Sequence, residues 1–176
     1  MKKDYAILDT IFTRSSYRGT FKDIPVPRED LETIIKAGIA APSGCNRQTP
    51  AFVAIDNKEK IDVIRKAFPR PSCETAPAFI MVFTQKIVGI DGHYYHVEDY
   101  AAAIQNMLLA IKALGYESCW YQGGVRACSD EFKALVNMPD NFTFVCLLPI
   151  GIAAEEVKML QGKKSFEERA WFNEYT

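Results

Sequence analysis

This 176-residue chain lacks the sequence signatures of several common sites. It has no G-x-G-x-x-G and no Walker sequence, which argues against a Rossmann dinucleotide fold and a P-loop. Its only two histidines, His93 and His96, have no third to complete a ligand set. Even with Asp91, Glu98 and Asp99 nearby, their spacing matches no strong metal signature, and no metal is expected. Neither charge sign is in excess, with 21 Lys and Arg against 22 Asp and Glu and a net charge of -1. That argues against non-specific nucleic-acid binding, which needs a basic excess to displace counterions. The five cysteines are odd in number and form no C-x-x-C pair, so neither a disulfide framework nor a cysteine-only zinc site is expected. The longest apolar run, 142–154, is too short to cross a membrane and holds Pro149 and Gly151. Asp4 and Asp9 interrupt what could have been a secretory signal core. A cytoplasmic protein with no membrane or nucleic-acid partner is the expectation.

With 48% hydrophobic and 24% charged residues, the chain reads as one globular domain over 1–176. Asp4 is placed to cap a first helix carrying Ile7, Leu8, Ile11 and Phe12 on one side. The polar stretch 13–27 breaks that period. Pro27 reads as the first residue of a second helix, with Glu29 and Asp30 in its first turn. Leu31, Ile34, Ile35, Gly38 and Ile39 supply its apolar stripe, and Pro42 ends it. Strands are expected at 51–55, 76–83, 117–121 and 142–152. Helices are expected at 59–68, at 98–114, and at 129–137 with Ser129 as cap. The sum is an α+β fold, with a central mixed or mostly antiparallel sheet of roughly four or five strands flanked by helices. The tail from 162 onward is charged, yet it carries Phe166, Trp171, Phe172 and Tyr175. Those aromatics need a surface, either on their own domain or on a second copy.

Besides the histidine cluster, four places could carry chemistry. Arg14, Ser15, Ser16 and Arg18 put two guanidinium forks and two hydroxyls in an irregular stretch, which suits a phosphate; a solvated basic turn is the plainer reading. The loop APSGCNRQTP, 41–50, offers Ser43, Asn46 and Gln48 as hydrogen-bonding groups, with Gly44 permitting close backbone approach, or it is simply a helix-to-strand turn. Within it, Cys45 is a conceivable nucleophile with His93 or His96 as base, although a small structural thiol is the commoner role. Gln122, Gly123 and Gly124 end a strand and either present backbone N–H groups or turn the chain. Lys163 and Lys164 follow Gly162 as a flexible cationic pair or a solvated turn.

Their order along the chain is more specific than any one of them. R-S-S-Y-R, then A-P-S-G-C-N-R-Q, A-A-x-x-Q-N-M-L-L-A-x-x-A-L-G, W-Y-x-G-G and L-P-I-G-I-A-A-E-E resemble the nitroreductase family over nearly the whole chain. The resemblance implies an FMN-dependent NAD(P)H oxidoreductase, a homodimer with flavin at the subunit interface. It would move a hydride from NADH or NADPH to FMN, then to a nitroaromatic or quinone-like small aromatic acceptor, by a ping-pong scheme with no obligatory catalytic side chain. A flavin-binding protein with little turnover is the alternative.

By position, Arg14, Ser15, Ser16 and Arg18 resemble contacts to the FMN phosphate and ribityl chain, and Lys163 and Lys164 resemble the late basic residues near that phosphate. Pro42, Ser43, Gly44 and Asn46 resemble the loop that reaches the partner's isoalloxazine. Gln122 and Gly123 resemble the segment whose amides approach flavin N5 and O4. Residues 165–176 would be an arm wrapping the dimer partner. The chain departs from the family by its short length, by Gln122 where many members carry an acid or glycine, and by a C-terminal basic motif reduced to Gly162-Lys163-Lys164. Tyr94 and Tyr95 are candidates to replace the aromatic walls that longer members build from inserted helices.

Overall fold

The structure is a computed structural model that describes residues 6–158 and 162–175. The expected cap at Asp4 lies outside the described residues. Helix α1 spans Ala6–Thr13, α2 Arg28–Ile39, α3 Lys58–Ala67, α4 Pro71–Thr75, α5 His96–Ala113 and α6 Ser129–Leu135. The strands are β1 Pro50–Ile55, β2 Ala78–Thr84, β3 Glu117–Ser118 and β4 Thr143–Gly151. They form one sheet in the order β1-β2-β4-β3, with every pairing antiparallel. The expected α+β architecture is therefore present, and no parallel pair enters the sheet among the described residues.

The sheet is covered on both faces because β2 and β4 are apolar at successive positions rather than alternate ones. In β2, Phe79, Met81 and Phe83 enter one core with Ile61 and Ile64 of α3 and Phe132 of α6. Ala78, Ile80 and Val82 enter the other, with Leu31 and Ile34 of α2 and Ile104, Met107 and Ile111 of α5. The two-residue period of a strand sorts one run of sequence into two cores. Helices α2 and α5 approach closely at Gly38, where a Cβ would stand 2.9 Å from Met107 Cγ. The β2–β4 register slips between Val82 and Phe83, which leaves Val145 as the extra residue of a bulge at the mouth of the sheet.

Several expected boundaries move, each for a local reason. Pro27 sits one place before α2, its carbonyl accepting from the Asp30 and Leu31 amides. Ser129 is inside α6, its hydroxyl turned back to the Arg126 carbonyl, and Cys128 holds the cap position. The strand expected over 117–121 shrinks to β3 and a single bridge between Tyr121 and Leu147. The unexpected α4 starts from Arg70, with Pro71 at its first turn, before a strand that begins only at Ala78. α3 is capped by Asn57, whose side chain accepts from the Lys60 amide at 3.1 Å.

The periphery is unlike this core. None of the residues of α1 is buried, and Ile7, Leu8, Ile11 and Phe12 are all exposed. Phe166, Trp171, Phe172 and Tyr175 are also exposed, and their rings meet in pairs, Phe166 with Phe172 and Trp171 with Tyr175.

Candidate functional site

The stretch 14–18 is laid along the end of the sheet. The Tyr17 amide donates to the Ser118 carbonyl at 2.9 Å, and further on Lys22 donates to Ile152, so the chain runs beside β3 and the exit of β4. The Tyr17 ring is buried and its hydroxyl donates to the Thr20 carbonyl at 2.5 Å. Pinned there, Ser16 and both arginines gather around Cys119: burial pushes that thiol up, while Arg18, Arg14 and hydrogen bonds from Tyr121 and Ser16 act the other way.

The neighbouring wall is Ser72, Cys73 and Tyr121. Ser72 and Tyr121 share a hydroxyl–hydroxyl hydrogen bond of 2.9 Å. Burial raises the Cys73 thiol to about 12, with the Arg70 guanidinium close enough to pull the other way. That thiol is a structural group and not a nucleophile. The Ser15 and Ser118 hydroxyls are buried with no hydrogen-bond partner among the described residues. Arg14 and Arg18 make no ion pair with any carboxylate among the described residues, although the chain pairs Arg28 with Asp56 and Lys112 with Glu117 elsewhere. Orphaned hydroxyls beside unpaired guanidinium groups are what a phosphate ester requires: donors already in place, and no anion competing for them. The residues fit a phosphate-bearing cofactor.

The loop 42–48 is built in the opposite way. A short 3₁₀ turn at Gly44–Asn46 forms, and Cys45, Asn46 and Gln48 all take left-handed backbone angles, with φ of 51°, 53° and 49°. Such angles cost of order 1 kcal/mol or more for residues other than glycine, so the loop has to be held. Asp99, buried in the first turn of α5, holds it: one carboxylate oxygen accepts from the Gly44 amide and the other from the Thr49 hydroxyl, both at 2.7 Å. The Ser43 hydroxyl accepts from the Gln48 amide at 3.0 Å. A Cβ on Gly44 would fall 2.3 Å from Tyr95 Cβ, so the close approach that this glycine allows is to Tyr95. Beside the loop lies a cavity of about 270 Å³ whose lining includes Pro42, Ser43, Gln48, Phe52 and Asp99. Pro42 and Asn46 are both exposed to solvent.

The Gln122 side-chain amide approaches the Tyr100 hydroxyl at 3.4 Å, one residue beyond Asp99 on α5. Arg14, Ser16 and Arg18 thus share one locus, while Pro42, Ser43, Gly44 and Asn46 share another. Gly123 is exposed and turns the chain into the 3₁₀ helix Gly124–Cys128. Lys163 and Lys164 are exposed and form no ion pair among the described residues. Sequence reasoning missed Asp99 as the brace of the loop, and missed Arg70, Ser72 and Tyr121. A buried acid at the start of a strongly apolar helix was the available signal for Asp99; the other three are joined only by tertiary packing.

The thiol-enzyme reading of Cys45 finds no machinery. The thiol is exposed, and among the described residues no hydrogen bond joins it to His93 or His96. His93 Nδ1 is instead 3.1 Å from the Asp91 carbonyl. Among the described residues, no group of three or more His, Cys, Asp or Glu side chains is placed to hold a metal ion. No helix among them is long and apolar enough to cross a membrane.

Comparison with known proteins agrees with this arrangement. A protein of Archaeoglobus fulgidus that carries the provisional name NADH dehydrogenase/NAD(P)H nitroreductase is 29% identical over 163 residues, covering 90% of this chain and 92% of the relative. The NADPH-flavin oxidoreductase of Vibrio harveyi is 26% identical over 146 residues, or 76% of this chain and 60% of that one. The crystal structure of a Bacteroides thetaiotaomicron protein with the same provisional nitroreductase name superposes with a TM-score of 0.83 at 27% identity, covering 98% of this chain and all of that one. The family model described as "Nitroreductase family" matches residues 11–70 and 66–152. The polar stretch, the braced loop and the strand end at Gln122 all fall within the matched residues, and the chain belongs to the nitroreductase family.

Proposed function

We propose that the protein is an FMN-dependent oxidoreductase that takes electrons from NADH or NADPH and delivers them to a nitroaromatic or quinone-like acceptor. The observation that supports this reading is that, among the described residues, Arg14 and Arg18 form no ion pair and the buried Ser15 hydroxyl between them in sequence has no hydrogen-bond partner. In this reading Arg14 and Arg18 bind the flavin phosphate through charge-assisted bonds, while Ser15 and Ser16 complete its acceptor shell. Arg70 adds positive potential to the same wall, and Lys163 and Lys164 do so from the tail.

Bound there, the flavin supplies hydride chemistry in a ping-pong scheme: NAD(P)H and a proton convert a quinone to its hydroquinone, or a nitro group to nitroso plus water. The chain's own work is positional. Asp99 holds the 42–48 loop so that Pro42 and Asn46 face outward toward the flavin of a second subunit. Gln122 and Gly123 place backbone donors where charge accumulates on the reduced ring. Tyr94 and Tyr95 bound the acceptor's side as aromatic walls. No side chain is assigned as a catalytic acid or base.

The assembly is a homodimer in this proposal, closed by the exposed apolar face of α1 and by the aromatic tail 165–175 laid on the partner. Deleting the chain from Ser165 onward is expected to yield a monomer in sedimentation that loses flavin on desalting; a truncated dimer with full flavin removes the arm from the account. The reaction itself is tested by the visible absorption of the FMN-reconstituted protein before and after anaerobic NADH or NADPH. The expected result is a flavin spectrum that bleaches, then returns through many cycles with an acceptor. A spectrum that bleaches but is not turned over would instead favour a flavin carrier with little catalysis.

A further inference from the structure

Gln122 also lines a cavity of about 380 Å³ whose other lining residues have no role in the flavin assignment. Its floor is the open end of the sheet, at Phe144 and the bulged Val145. Its walls carry Lys86, His96 and Arg126, and none of its lining residues bears a carboxylate. This concentration of cations is not a by-product of composition, because the chain's net charge is -1. Nor is it the habit of the surface: Lys36, Lys58 and Lys133 each lie beside a carboxylate of their own helix or loop. Lys86 and Arg126 have no such partner among the described residues. Lys86 is instead parked over the Tyr94 ring, its Nζ 4.7 Å from the centroid, and His96 Nδ1 is buried with no hydrogen-bond partner. Tyr100 lines the cavity between these groups, and Phe144, its ring packed edge-on against Phe83 and Phe132, closes the apolar floor.

We propose that this cavity binds small aromatic acids, holding the carboxylate with Arg126 and Lys86 and the ring against Tyr100 and Phe144. It rests on the flavin reading in one respect: an acid held beside Gln122 is then the acceptor to be reduced, and anionic aromatic acceptors are selected over neutral ones. The volume lies near the lower end of ligand cavities, which suits a single substituted ring. Arginine's planar fork and an aromatic wall are the groups that recognise a benzoate-like ion.

The phosphates of NAD(P)H are the other source of negative charge, and the test separates the two. Calorimetric titration of the full chain with 4-nitrobenzoate, with and without FMN, is expected to show binding that weakens as salt is added. Arg126→Ala should weaken it about tenfold, with partial recovery in Arg126→Lys, and Lys86→Ala should act in the same direction. In the FMN-loaded enzyme the ratio of kcat/KM for 4-nitrobenzoate to that for nitrobenzene should fall by a similar factor in Arg126→Ala. Nitrobenzoate binding that ignores both substitutions overturns the proposal. A rise in KM for NAD(P)H without any change in nitrobenzoate binding also overturns it, assigning the cations to the donor instead. If the chain binds nitrobenzoate through Arg126 but takes up no FMN, the cavity assignment stands and the flavin reading falls.

Discussion

The stretch 14–18 and the loop 42–48 have similar polar content and treat it differently. In the loop, the Gly44 amide and the Thr49 hydroxyl are committed to Asp99, and the Ser43 hydroxyl accepts from Gln48. In the stretch, Tyr17 is pinned at its amide and its hydroxyl and Ser16 turns to Cys119, while among the described residues the Ser15 hydroxyl has no hydrogen-bond partner and the two guanidinium groups form no ion pair. A segment whose polar groups satisfy one another is a piece of architecture, holding a strained backbone in place. A segment with buried donors to spare is arranged for something else. On the proposed function, the first is the segment that captures the phosphate and the second is the one held in a fixed shape to face the partner's flavin, although both look like polar loops in the sequence.

Four substitutions sharpen that division. The largest effect on folding is expected from Asp99→Ala, which strands the Gly44 and Thr49 donors. It should lower unfolding stability by about 3 kcal/mol in urea titration, since each buried donor left unpaired costs roughly 1–3 kcal/mol. A shift of only a few tenths would mean that the loop is held by something else. Arg14→Ala and Arg18→Ala should leave the urea midpoint nearly where it is, yet weaken FMN binding by about 1.5–3 kcal/mol each, read by fluorescence titration. Flavin affinity equal to the parent's in both variants would break the phosphate assignment. The smallest effect belongs to Ser15→Ala. With its hydroxyl unpartnered, removal should cost no stability in the flavin-free protein but about 1 kcal/mol of flavin affinity.

Much of the fold was legible because its signals are local. Leu31, Ile34 and Gly38 repeat with the period of a helix, and the runs at β2 and β4 are too apolar for an exposed strand. What could not be read was set by tertiary context. Residues 119–121 have strand-forming side chains but lack a continuous partner, so only one bridge forms at Tyr121. Pro71 nucleates α4 in a stretch too short to show periodicity. At the site, the chemistry-bearing residues of both polar segments were visible as residue types. Asp99 was visible only as an acid in a helix's first turn, and its role depends on a loop some fifty residues earlier, folded back on it. The cationic cavity was invisible for the same reason, because Lys86, His96 and Arg126 are brought together by the end of the sheet and not by spacing.

The central claim, that the 14–18 stretch is a phosphate anchor, is tested most directly by comparing FMN with riboflavin, which has the same ring and no phosphate. The account predicts that the protein binds FMN at least about tenfold more tightly than riboflavin, and that the preference disappears when Arg14 and Arg18 are both replaced by alanine. Equal affinity for the two flavins in the parent protein, or a preference that survives the double substitution, would contradict it.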